Sequence, residues 1–150
     1  MFELIRTTSD NPDFIGLVKL LDADLAYRDG SEHSFYAQFN KTDKIKYVVI
    51  AYEHGKAIGC GTIKPFSSGT MEIKRMYTLP QQRGKGVASR ILNELEKWAA
   101  EMSCNKCILE TGNRQPEAIM LYRKNGYNRI PNYGQYQGIE NSVCFEKEIT

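Results

Sequence analysis

The period of the apolar positions changes repeatedly along this chain, and each change marks an element. "FELIR" near the N-terminus reads as a short strand. In "NPDFIGLVKLLDADLAYR" the apolar residues Phe14, Leu17, Val18, Leu20, Leu21 and Leu25 fall close to helical spacing. Asp10 or Asn11 can cap this helix, with Pro12 in its first turn. The helix is expected to stop near Gly30, and "SEHSFYAQFN" to add a short second one. "KYVVIAYE" and "KAIGCGTIKP" read as strands joined by a hairpin-like break at His54-Gly55, and "TMEIKRMYTL" as a further strand. Gly59 and Gly61 thin out the middle one, so another element is expected to pack close to its backbone.

Beyond Pro80 the period lengthens again. Val87, Ala88, Ile91, Leu92, Leu95, Trp98, Ala99 and Met102 form one apolar stripe of a long helix. "KCILET" is a short strand, and "QPEAIMLYRKN" a helix with Gly126 placed as its C′ residue. "YNRI" and "SVCFEKEI" close the chain as strands. The order is β-α-α-β-β-β-α-β-α-β-β. Strands 2 to 4 should form an antiparallel meander, and the strand–helix–strand passage from Met71 to Thr111 should bring its two strands together in parallel. The fold class predicted is α/β (α+β): a mixed, mostly antiparallel sheet of six to seven strands with helices on both faces, in a single domain over residues 1–150.

Composition narrows the function more than the fold. Hydrophobic residues make up 41% and charged residues 25%, ordinary for a globular domain. A formal net charge of +2, with charges spread along the chain, argues against nucleic acid as a partner. No apolar run approaches the ~20 residues needed to span a bilayer. The start "MFELIRTTSDNPDF" is too polar for a secretory signal, so the expected location is cytoplasmic. Cys104 and Cys107 form a C-x-x-C, but no second pair at ligand spacing exists and His33 and His54 are remote in sequence. A structural role is expected for the cysteines, and no metal.

The segment "LPQQRGKGVASRILNELEKWAAEM" places glycines and cations ahead of the long helix. Backbone N–H groups at a helix start lack internal partners and carry partial positive charge. Glycines at 84 and 86 would let an anion reach them, with Arg83 and Lys85 nearby. A pyrophosphate fits this physics; so does a simple glycine-relieved turn with solvated charges. The spacing fails both the G-x-x-x-x-G-K-[ST] phosphate loop and the G-x-G-x-x-G dinucleotide fingerprint, since position 89 is Ser.

Taken with its flanks, this segment resembles a known family. Q-x-x-G-x-G after a strand ending "RMYTLP", then "ILET", then "QPEAIMLYRKNGY", is similar to the central block of the GNAT-type N-acetyltransferase superfamily. The resemblance covers roughly residues 46–130 and implies a GNAT-like acyl-CoA N-acyltransferase fold with acetyl-CoA as co-substrate. By position, Met76, Tyr77 and Thr78 would meet the pantetheine arm through their backbone. Gln81, Gln82, Arg83, Gly84, Lys85, Gly86, Val87 and Ala88 would wrap the pyrophosphate. Many relatives carry Asn seven residues before the catalytic Tyr; here Gln115 stands there, and Asn113 is an alternative contact.

Acetyl transfer to an amine needs a base for the ammonium, a donor for the carbonyl oxygen and an acid for the departing thiolate. The resemblance implies Tyr122 as the acid and the backbone N–H of Met76 or Tyr77 as the carbonyl donor. Glu72 or Glu110 would be the base, with Glu72 ranked first because its strand lines the acetyl group. Simple alternation would put Glu72, Lys74, Met76 and Thr78 on one face, unless a bulge intervenes. The acceptor site would draw on the first helices and last hairpin, where Tyr27, Tyr36, Tyr133 and Tyr136 could wall an amine and Asp22, Asp24 and Asp29 attract it. The expected activity is direct acetyl transfer in a ternary complex to a primary amine of a small molecule or peptide. A catalytically silent acyl-CoA-binding module is the alternative, and a homodimer through the C-terminal strands fits their need for edge cover.

Overall fold

A computed structural model describes residues 2–29 and 44–150. The second short helix expected over 31–40, together with Tyr36 and His33, lies outside the described residues. Seven strands form one sheet in the order β1-β2-β3-β4-β5-β7-β6. These are β1 (Glu3–Thr7), β2 (Tyr47–Glu53), β3 (Lys56–Ser67), β4 (Thr70–Thr78), β5 (Lys106–Gly112), β6 (Asn128–Ile130) and β7 (Ser142–Glu148). Three helices flank it among the described residues: α1 (Pro12–Asp29), α2 (Val87–Glu101) and α3 (Pro116–Lys124). Strands β1 to β4 pair antiparallel in succession, β4 and β5 run parallel, and β7 pairs antiparallel with both β5 and β6. The meander and the parallel crossover expected from the pattern are both present.

Local chemistry explains the ends of these elements. Asn11, rather than Asp10, caps α1: its Oδ1 accepts from the backbone N–H of Asp13 at 2.8 Å. His54 and Gly55 take positive φ, of 52° and 77°, which suits the tight β2–β3 hairpin. Phe14, Leu17, Val18 and Leu21 of α1 are buried, as are Val87, Ile91, Leu92, Leu95 and Ala99 of α2. Leu20 remains half exposed, although it fell within the apolar spacing of α1.

Gly59 and Gly61 bring α2 close to the sheet. A Cβ on Gly59 would come within 3.1 Å of Ile91 and 3.2 Å of Val87, and one on Gly61 within 3.0 Å of Ile91 and Leu95. The close approach expected at these glycines is therefore made by α2. The opposite face of the sheet carries α1, tied to Tyr52 through Asp13 (2.6 Å) and to Arg75 through Asp22 (2.6 Å). All four cysteines are free thiols in the buried interior.

Candidate active site

Two irregularities in β4 make the site. The first is its parting from β5: pairing is confined to Thr70–Lys106, Met71–Cys107 and Glu72–Ile108, while β4 runs on to Thr78 and β5 to Gly112. From Ile73 onward β4 has no sheet neighbour on that side among the described residues. The second is a bulge. Thr62 faces Lys74 and Cys60 faces Tyr77, so Gly61 alone opposes both Arg75 and Met76, and Arg75 takes a φ of 58°.

The bulge resets the alternation. Glu72 and Lys74 pair with Lys64 and Thr62, on the face opposite α2. After it, Met76 turns its sulfur into the space beside Gly61, toward α2, and Thr78 pairs with Gly59 on the same side. The single face that simple alternation gives Glu72, Lys74, Met76 and Thr78 is thus replaced by two, through the bulge named as its exception. The parted strands let the cleft reach both sides of the sheet.

This cleft has a volume of about 590 Å³. Leu21, Asp24 and Leu25 of α1 line one side, the loop and first turn of α2 another, and Ala118, Leu121 and Tyr122 of α3 a third. Gly84 and Gly86 sit at φ 81° and 85° with open space where a Cβ would be, so backbone conformation is what requires glycine here. Gly86 is the N-cap of α2 and no side chain caps the helix, which leaves its first-turn N–H groups for another acceptor. Asn125 Nδ2 donates to Ser89 Oγ at 3.1 Å and so holds the end of α3 against the start of α2.

The charged groups lie mostly on the α1 side. Glu72, only 5% exposed, accepts a 2.7 Å hydrogen bond at Oε2 from Tyr133. Tyr133 stands edge-on to Phe66 and Tyr136. Burial lowers the pKa of Lys74, while Glu72 and Glu110 act against that shift. Tyr122 is 6% exposed and packs against Tyr127 and Phe145. Burial first, and the charge of Glu110 second, push its hydroxyl well above the ordinary tyrosine value, so it keeps its proton. Across one margin, Arg28 pairs with Glu117 and its carbonyl accepts from Arg114 Nη1, linking α1 to the start of α3.

Residues 14–127 match the acetyltransferase (GNAT) family. The chain belongs to that family. It is 32% identical over 138 residues to the IAA acetyltransferase of Azospirillum brasilense, with 90% of each chain covered. A Klebsiella pneumoniae structure provisionally assigned as an acyl-CoA N-acyltransferase superposes with a TM-score of 0.84 and 30% identity, over 100% of this chain and 99% of that one. The PaiA N-acetyltransferase of Thermoplasma acidophilum, solved with coenzyme A, shares the fold at 16% identity and a TM-score of 0.73, over 99% of both chains. As a GNAT member the chain is an acetyl-CoA-dependent acyltransferase, and no described helix is long and apolar enough to cross a membrane.

Most of the residues singled out from the GNAT resemblance meet at this cleft. Glu72, Glu110, Tyr122, Met76, Tyr77, Thr78, Gln82, Arg83, Gly84, Gly86, Val87, Ala88, Gln115 and Tyr136 all line it. Gln81 and Lys85 are exposed on the loop and do not, and Lys85 is turned to Gln82 at 3.2 Å. Arg83 folds back instead of reaching outward: its Nε donates to the Thr78 carbonyl at 2.9 Å and its guanidinium lies over Tyr77. Of the two amide candidates, Gln115 lines the cleft, whereas Asn113 bonds to Asn141 through both backbone and side chain. Tyr27 is 89% exposed and away from the cleft wall, and Tyr133 serves Glu72 rather than lining the cavity. Asp22 is occupied by Arg75, and Asp24 by Arg28. Arg75, which the sequence reading did not single out, lines the cleft at a bulge that carries no glycine to announce it.

Proposed function

We propose that this chain transfers the acetyl group of acetyl-CoA directly to a primary amine of a small molecule or peptide, with Glu72 as base and Tyr122 as acid. The observation that carries this reading is that a buried carboxylate and a buried, protonated phenol line one cleft where β4 leaves β5. The residues present fit the co-substrate. The exposed backbone of β4 beyond Ile73 suits an amide-bearing arm, and the uncapped, glycine-turned start of α2 suits a diphosphate. Gly84, Gly86, Val87 and Ala88 would hold the phosphates, and Met76, Tyr77 and Thr78 the arm. Bound there, acetyl-CoA supplies an acetyl group activated as a thioester.

The chain's own residues do the rest. Tyr133 occupies Oε2 of Glu72, which leaves Oε1 to accept the proton of an entering ammonium. Tyr122 holds a proton to give to the leaving sulfur. Direct transfer is supported by the fact that none of the four cysteines lines the cleft to act as an intermediate nucleophile. Release of free thiol from acetyl-CoA, followed across an amine panel, tests the activity. Tyr122→Phe should lower kcat about 100-fold while acetyl-CoA still binds; an unchanged kcat removes Tyr122 from the mechanism.

A further inference from the structure

The short helix that carries Tyr122 has little of its own to hold it. α3 has nine residues, and Tyr122 supplies its only buried side chain. A helix of that length is not stable by itself in water, so its place depends on what its ends are tied to. One tie is the hydrogen bond from Asn125 to Ser89. The other is Tyr127. After Gly126 takes a φ of 91°, the N–H of Tyr127 donates to the carbonyl of Tyr122 at 3.0 Å, and the two rings stand edge-on with centroids 5.8 Å apart.

Tyr127 is 3% exposed and stands outside the cleft, and its far end is fixed. Its hydroxyl donates to Oε2 of Glu96 at 2.8 Å, and Lys147 Nζ donates to Oε1 of the same side chain at 2.9 Å. Glu96 is itself buried, and lies about 15 Å beyond Gly86 along α2. One helix thus carries the diphosphate end of the cleft at its start and, through Glu96 and Tyr127, a hold on Tyr122. Stability alone does not call for a carboxylate at 96, since replacing a buried ionic group by an apolar one is often neutral or stabilising. A directed hold on the Tyr127 ring does call for it, because a satisfied buried hydrogen-bond network makes a region rigid and gives it one arrangement.

Resting on the assignment of Tyr122 as acid, we propose that Tyr127 is a positioning residue: Glu96 and Lys147 fix its phenol, and its ring and backbone N–H set where the Tyr122 hydroxyl meets the leaving sulfur.

The test is a double-mutant comparison read by thiol release from acetyl-CoA with the fastest amine of the panel. Tyr127→Phe keeps the ring and removes only the bond to Glu96. Its kcat is expected to fall about 10-fold with the KM for acetyl-CoA unchanged, as for a small displacement of a reacting group. In a Tyr122→Phe background the same substitution should change kcat by less than about twofold, because no acid is left to misplace. The thermal shift produced by coenzyme A reports that each variant is folded. If Tyr127→Phe is not, Glu96→Leu combined with Tyr127→Phe takes its place under the same criteria, since it leaves no buried carboxylate short of a partner. An unchanged kcat, or an equal fall in both backgrounds, overturns the inference and leaves Tyr122 as the acid. A Tyr122→Phe enzyme as fast as the wild type removes the acid, and this positioning role with it.

Discussion

On the α2 side of the parted strands the cleft is made from backbone, and on the α1 side it is made from charge. The first side offers left-handed glycines, an uncapped helix start and an unpaired strand edge. The second offers Glu72, Lys74, Arg75 and Asp24, with Asp22 paired to Arg75. A ligand read by backbone needs shape and leaves little freedom for side chains to differ. A ligand read by buried charge is specified side chain by side chain, because each unpaired partner costs free energy. The two halves should therefore fail separately when damaged.

The largest effect is expected in the charged half. Glu72→Gln keeps the size of the side chain and the acceptor for Tyr133, and removes the base. A loss of about 10²- to 10⁴-fold in kcat is expected. Calorimetric titration with coenzyme A should be unaltered; a parallel loss of cofactor affinity would merge the two halves.

The backbone half is tested by Gly86→Val. Gly86 has nothing within 4 Å of a Cβ, so the added Cβ meets no clash and the substitution bears first on its φ of 85°. A β-branched residue there costs on the order of 1–3 kcal/mol, which relaxation of the turn would relieve at the expense of the anion site. The KM for acetyl-CoA should rise about 10-fold or more with the acceptor KM unchanged. Equal changes in both constants would show that the turn does not act on the cofactor alone.

This division also explains what could be read from the chain. The glycine turn, the α2 stripe and the tight approach at Gly59 and Gly61 were legible because glycine and apolar spacing report local backbone needs directly. The bulge was not, since "EIKRMYT" contains no glycine or proline at the point where Arg75 turns left-handed. A bulge had been weighed as the exception to simple alternation, but nothing local showed where it falls, and Arg75 was not singled out. Tyr133 and Glu72 are 61 residues apart, and their contact depends on the packing of the segment after β6 under the sheet, which no local pattern encodes. Tyr27 fails for a simpler reason: its position on α1 points to solvent.

Tyr133→Phe sharpens the charged half with a smaller effect. The ring retains its edge-on neighbours Phe66 and Tyr136, and only the hydrogen bond to Glu72 is lost. A hydrogen bond to a charged group contributes about 1.5–3 kcal/mol to stability, and only the part felt by the base reaches the rate. A fall in kcat of about 10-fold, without a change in acetyl-CoA binding, is expected. An unchanged kcat would show that Glu72 is placed by the strand alone.

Asn11→Ala provides the smallest effect and the control for both halves. It removes the side-chain acceptor for Asp13 N–H at the start of α1, at a cost of about 1 kcal/mol. For a chain of this length that corresponds to roughly 2–4 °C in Tm. The cleft residues Leu21, Asp24 and Leu25 lie two or more turns farther along the same helix, and Phe14, Leu17 and Val18 hold the intervening stretch in the core. Fraying of the first turn should thus be absorbed before it reaches the charged half. Both KM values and kcat are expected to stay at their wild-type levels while Tm falls. A rise in the acceptor KM alone would show that α1 transmits strain along its length, so that the charged half depends on the helix as a rigid body.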